Sequence, residues 1–114
     1  MRSRSRQSSS NTGRLIALSV LAAGVAFTGA VQAAEHVVVM DGVKFDPATL
    51  TVQRGDSVVW KNHDPFPHTA TAQGVFDSKE IAPGKSFKWT ARNAGSYDYV
   101  CTLHPGMKGS ITVK

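Results

Sequence analysis

Downstream of residue 34, apolar residues recur at every second position in runs too short for a helix, and each run ends where the chain is made to bend. Val37 to Met40 is apolar and β-branched, Leu50 and Val52 flank Thr51, and Ser57 to Lys61 carries Val58, Val59 and Trp60. Further on, Phe87 and Trp89 flank Lys88, Tyr97, Tyr99 and Cys101 share one parity, and Ile111 and Val113 share another. Side chains alternate faces along a strand, so this period marks half-buried strands. Between the runs stand Asp41-Gly42, Asp46-Pro47, Arg54-Gly55-Asp56, Pro65-Phe66-Pro67, Ala82-Pro83-Gly84 and Asn93-Ala94-Gly95, all turn or loop formers. The pattern predicts an all-β fold, a small antiparallel β-sandwich.

A leader precedes this domain. Residues 1–11 carry Arg2, Arg4, Arg6 and a serine run, Arg14 follows, and the 17 residues from Leu15 to Val31 are uncharged. Val31-Gln32-Ala33 then places small residues three and one positions before a cut. Charged, apolar and cleavage regions in this order predict a signal peptide over residues 1–33 and one domain over residues 34–114. An uncleaved anchor is the alternative, but the Ala- and Gly-rich stretch lies at the short edge of a spanning helix. An exported, periplasmic protein with no stable membrane insertion after cleavage is therefore expected. Four of the 13 basic residues and none of the eight acidic ones precede Ala34, which leaves the mature chain at +1. Basicity thus belongs to the export signal and is no nucleic-acid footprint. Lys61, Lys79, Lys85, Lys88 and Lys108 read as solvated protection of strand edges, with a face for an acidic partner as the alternative.

A mature chain of about 80 residues gains little margin from its core alone, and domains of this size often add a staple. The single cysteine, Cys101, cannot close an intramolecular disulfide, and a free thiol is at risk in an oxidising compartment. A bound metal would supply the staple and protect the thiol; plain burial would only protect it.

The chemistry of such a metal is written in Cys101-Thr102-Leu103-His104-Pro105-Gly106-Met107, at the end of a predicted strand. Three-residue steps from Cys101 to His104 to Met107 let one tight loop wrap an ion. Pro105 fixes one backbone angle there and Gly106 permits another. A further imidazole, His68, lies 33 residues before Cys101 and must arrive from a different strand end. Each residue alone has a plainer reading: a CxxH pair as part of a zinc site, Met107 as a core filler, His68 as a loop histidine. Together they form a His₂Cys set with a weak axial Met, and the thioether favours copper over zinc. Ligands drawn from two segments hold their geometry only in the folded domain, which suits a one-electron carrier. A copper delivery or storage protein is the alternative, although such proteins use exposed Met or His clusters. An enzyme is not expected, since a copper oxidase or reductase needs an open position or a second centre.

The chain resembles the cupredoxins, the plastocyanin and azurin family, and most of all their amicyanin branch. The resemblance rests on Phe45-Asp46-Pro47, on Gly55-Asp56-Ser57-Val58-Val59-Trp60-Lys61-Asn62, on Pro67-His68, and on Tyr97-Asp98-Tyr99 leading into Cys101, His104 and Met107. The short Cys-x-x-His-x-x-Met loop is the amicyanin-like trait. It implies a Greek-key β-sandwich, one type 1 copper with His68, Cys101 and His104 in a plane and Met107 axial, and electron shuttling between redox proteins. A donor and an acceptor, such as a cytochrome c or a dehydrogenase, are expected to dock on a monomer near His104, across Pro65, Phe66, Pro67, Leu103, Pro105 and Gly106. Three features depart from the branch: Thr69 stands where many relatives have Asn, Leu103 and Gly106 replace a proline and a phenylalanine, and amicyanin's longer N-terminal extension is missing from the mature chain. The Thr69 hydroxyl is expected to keep part of the tie between the ligand loops.

Cleavage after Ala33 would also free Ala34-Glu35-His36, a sequence able to wrap copper(II) or nickel(II) in a square of nitrogens. A strand-initial histidine is the simpler reading of His36. His63, beside Asp64, reads as a solvated loop residue.

Overall fold

The computed structural model describes Gly24 and residues 32–114, so most of the leader expected over residues 1–33 lies outside the described residues. The strands in these residues are β1 (Glu35–Met40), β2 (Phe45–Asp46), β3 (Thr49–Val52), β4 (Ser57–Asn62), β5 (Thr71–Ala72), β6 (Phe76–Asp77), β7 (Ser86–Thr90), β8 (Gly95–Val100) and β9 (Lys108–Val113). They form two sheets, one in the order β2-β1-β4-β7 and the other β3-β9-β8-β5-β6. This is the expected Greek-key sandwich. The antiparallel pattern holds for β1·β2, β4·β7, β5·β6, β5·β8 and β8·β9, whereas β1·β4 and β3·β9 run parallel. The reason is topological: the chain leaves the first sheet after β2, lays β3 in the second, and returns beside β1 in the same direction.

Every long run of alternating residues became a strand whose inward face meets the opposite sheet. Trp60 from β4 is fully buried, with ring centroids 5.1 Å from Phe76, 5.3 Å from Tyr99 and 5.7 Å from Phe87. Phe45 meets Tyr99 edge-on at 4.6 Å. Aromatic pairs in such tilted and edge-on contacts add to their area burial, and here they join both sheets in one core. Tyr99 needs a bare neighbour on the adjoining strand. A Cβ on its cross-strand partner Gly109 would lie 2.4 Å from the phenol carbon and oxygen, so only glycine admits the ring. Burial pushes the Tyr99 phenol up to about 12.

One boundary differs from expectation. Cys101 was expected as the last residue of a strand; β8 stops at Val100, and Cys101 opens the loop that follows. Its N–H turns inward to Met107 O at 3.0 Å, so closure of the loop takes the place of a ladder bond.

Candidate metal centre

The loop from Cys101 to Met107 is closed by its own backbone. Besides the Cys101 bond, Met107 N–H donates to His104 O at 3.1 Å, and Gly106 takes φ of 95°, a left-handed value that glycine adopts without steric cost. Cys101 and Met107 are buried and His104 is half-buried.

His68 is fully buried and its backbone is clamped to Ile81 in both directions, N–H to O at 3.2 Å and O from N–H at 2.7 Å. Its ring is oriented by Asp64, whose Oδ2 lies 2.6 Å from Nε2. Asp64 is in turn anchored across 22 residues by the N–H of Gly42 at 2.7 Å and, one residue on, by that of Val43 at 2.9 Å. Burial alone would raise the Asp64 carboxyl, but the Val43 N–H, His68 and the Gly42 N–H together hold it below its ordinary value. Asn62, also fully buried, shapes the loop between: its amide donates to Phe66 O and Ile81 O, each at 2.9 Å, and its Oδ1 accepts Asp64 N–H at 2.9 Å. A carboxylate on Nε2 leaves Nδ1 as the free donor of the His68 ring.

These two segments converge. His68 Nδ1 lies 3.8 Å from Cys101 Sγ, His104 Nδ1 lies 3.6 Å from it, and the two Nδ1 atoms are 3.2 Å apart. Three donors each roughly 2.0–2.3 Å from one ion stand about this far apart. Two imidazole nitrogens 3.2 Å apart cannot both present lone pairs to each other; an N–H of one ring or a metal ion between them removes the repulsion. Soft thiolate with two imidazoles suits copper or zinc. The donor set therefore fits a metal ion of this kind, and among the described residues it is the group of His, Cys, Asp or Glu side chains gathered for one.

A family model described as a cupredoxin-like domain matches residues 14–113. The chain belongs to the cupredoxin family. It is similar to amicyanin of Paracoccus denitrificans, 33% identical over 97 residues that span 75% of this chain and 71% of the relative. It is also similar to plastocyanin of Scenedesmus fuscus, 35% identical over 88 residues, 61% of this chain and 86% of the relative. Among solved structures, a copper(I) form of an amicyanin variant superposes with a TM-score of 0.67 at 31% identity, over 75% of this chain and 87% of the other. A copper-containing nitrite reductase from Thermus scotoductus reaches 0.66 at 30% identity over 70% of this chain, which corresponds to only 22% of the enzyme.

In this cupredoxin Thr69 does make the tie that was expected of it. Its Oγ1 accepts Thr102 N–H at 2.9 Å and lies 3.1 Å from Thr102 Oγ1, and its own N–H donates to Cys101 Sγ at 3.3 Å. The residues that follow His68 and Cys101 are thereby bonded to each other. His36 lies in β1 with Nε2 on Asp56 Oδ2 at 2.9 Å, as a strand-initial histidine, and His63 is exposed in its loop. Sequence reasoning passed over Asp64 and the structural part of Asn62. An acid four residues before a candidate ligand, followed by Pro65 and Pro67, does not by itself mark a buried support. No helix of the described residues is long and apolar enough to cross a membrane.

Proposed function

We propose that this cupredoxin is a periplasmic blue copper protein that carries single electrons between redox partners. The observation that carries the reading is the convergence of Cys101 Sγ with two Nδ1 atoms within 4.8 Å of one another in a buried site. His68, Cys101 and His104 would hold the ion, and Met107, buried at the loop end, would add a weaker thioether sulfur. When bound, copper supplies a centre that gains and loses one electron. The chain's own residues hold the donors still: Asp64 fixes the ring of His68, and the closed backbone from Cys101 to Met107 fixes the other two positions. Thr69 N–H draws charge from the thiolate, which tunes the potential of such sites.

Electrons would cross at the half-buried His104. Phe66 is 36% exposed and Leu103 41%, and the Phe66 ring lies 5.2 Å from that of His68 and 5.4 Å from that of His104. This apolar surface over the imidazoles would take the donor and acceptor, a cytochrome c or a dehydrogenase, with the protein as a monomer. The same reading has residues 1–33 removed on export. Copper delivery or storage is disfavoured by the burial of Met40 and Met107, since an exchange site offers its thioethers to solvent. Likeness to a nitrite reductase concerns 22% of that enzyme's chain, and the donor cluster found among the described residues here is proposed to carry electrons without catalysis.

The test is electron self-exchange between copper(I) and copper(II) protein, read from nuclear magnetic resonance line widths. Reversible cycling without loss of copper, slowed by Phe66→Glu or Leu103→Glu while the visible spectrum is unchanged, is the expected result. Loss of copper to a chelator on each reduction would point to delivery instead, and unchanged exchange in both variants would remove His104 as the exit.

A further inference from the structure

Ala34 is fastened to the domain by both of its backbone groups. Its N–H donates to Asp56 Oδ1 at 2.9 Å and its carbonyl accepts Ser57 N–H at 2.9 Å, one step before β1 pairs with β4 from Glu35 onward. Gln32 and Ala33, the two residues before it, are exposed and lie outside any strand. Asp56 itself is buried, and its other oxygen is already occupied: Oδ2 accepts Gln53 N–H at 3.0 Å and meets His36 Nε2 at 2.9 Å. Oδ1 is thus turned to the Ala34 nitrogen. Hydrogen bonds from His36, Gln53 and Ala34 lower the Asp56 carboxyl to about 2, so it is an anion at neutral pH.

The nitrogen that this carboxylate holds is the one that cleavage after Ala33 would change. Hydrolysis by an export peptidase breaks the bond from the Ala33 carbonyl carbon to Ala34 N. The hydroxyl of water goes to that carbon and its hydrogen to the nitrogen, and the proton of the new Ala33 carboxylic acid passes through solvent to the amine. One amide N–H becomes an ammonium ion with three, and the anion 2.9 Å away can pair with it without moving. Hydrogen bonds between ionised partners are about twice as strong as neutral ones. We infer that Asp56 is a binding site for the α-ammonium group of Ala34, so that removal of the leader creates an ion pair that fastens β1 to the turn before β4. The site is specific for position: a chain beginning one residue earlier keeps an amide at the Ala34 nitrogen, and one beginning a residue later has no group there. The charged groups around it are His36 on the same carboxylate, Glu35, whose carboxylate lies 3.4 Å from Lys88 Nζ, and Arg54, Arg92 and Lys114 from the segments bonded to the same turn. An amine docked in this way is also withheld from the square of nitrogens that Ala34-Glu35-His36 could offer copper(II). The inference rests on the export and cleavage included in the function proposed above.

The strands β1 to β9 all lie within residues 35–113, so a chain from Ala34 contains the sandwich. Chains beginning at Ala34 and at Ala33 are compared, each with Asp56 and with Asp56→Asn. The Ala34 Cβ chemical shift, followed by nuclear magnetic resonance across the titration of the amine, reads the site directly. In the chain beginning at Ala34, the parent should hold the amine proton about tenfold more tightly than Asp56→Asn, an upward shift of about one pH unit. An amine midpoint raised in the folded chain gives stability that is present below the unfolded midpoint and is lost as pH rises through the folded one. The thermal midpoint of the chain beginning at Ala34 should therefore exceed that of the chain beginning at Ala33 at neutral pH, and the gap should close in alkali and be absent in Asp56→Asn. Equal amine midpoints in the parent and Asp56→Asn, a gap that persists in Asp56→Asn, or a second copper(II) bound through the amine at neutral pH would overturn the site. Should Asp56→Asn not fold, the two starting points alone decide, and equal thermal midpoints overturn it. The intact mass of the protein exported from the full chain separates the two claims: a mass beginning at Ala34 supports both, and any other start overturns the cleavage while the titration still decides the Asp56 site.

Discussion

Two histidine–aspartate pairs sit at the two ends of β4, and the same two residue types do different work in each. At the start of the strand His36 Nε2 meets Asp56 Oδ2 at 2.9 Å, with the histidine side chain 27% exposed. At its far end His68 Nε2 meets Asp64 Oδ2 at 2.6 Å with the histidine sealed from solvent. The first pair gathers backbone: Asp56 also accepts the N–H of Ala34 at 2.9 Å and of Gln53 at 3.0 Å, which docks the beginning of β1 on the turn before β4. The second pair leaves the other ring nitrogen facing the Cys101 sulfur and a second imidazole. Geometry between the partners barely differs. What differs is what the free side of the imidazole faces, and that makes one pair a strand fastening and the other the support of the proposed metal ligand.

The strongest way to break this contrast is Asp64→Ala. It removes the acceptor for the sealed His68 ring, and a buried donor left unpaired costs about 1–3 kcal/mol, while the N–H groups of Gly42 and Val43, in an exposed turn, can turn to water. Urea unfolding of the metal-free protein should show that loss, and the copper absorption should broaden as the ring loses its orientation. Next in size is Asp56→Asn, which should leave the copper spectrum alone and change the acid side of the stability curve. Hydrogen bonds from His36, then from the Gln53 and Ala34 N–H groups, lower the Asp56 carboxyl from 3.8 to about 2. A lowered folded-state pKa gives stability that is complete above 3.8 and is lost as pH falls through about 2. Thermal midpoints of Asp56→Asn should therefore depend less on pH across that interval than those of the parent. The smallest effect belongs to His36→Ala, because a partly solvated pair contributes little. A slight fall in thermal midpoint and an unchanged copper stoichiometry of one are expected by calorimetry; a loss from two equivalents to one would show that Ala34-Glu35-His36 wraps a second ion.

How much of this was readable beforehand depends on how local each feature is. The runs that became β1, β3, β4, β7, β8 and β9 were plain, because alternation over several residues reports which face is buried. The two-residue strands β2, β5 and β6 were not, since two positions cannot display a period. Nor could local pattern show that β1 and β4 run parallel, a matter of where the chain returns from. Cys101, His104 and Met107 were legible by spacing within one loop, and His68 as the imidazole that the set still required. Asp64 was not legible: an acid beside His63 and ahead of Pro65 looks solvated, and its carboxylate is anchored by N–H groups of the turn at Gly42 and Val43, some 20 residues away in sequence.

The most direct test of the account is copper(II) titration of the protein from Ala34 onward, followed by visible and electron spin resonance spectra. An intense thiolate-to-copper absorption with narrow copper hyperfine splitting, saturating at one equivalent and absent in Cys101→Ser, is the predicted result. A colourless product, or one with the wide splitting of a nitrogen and oxygen site, would show that His68, Cys101 and His104 do not hold copper as described here.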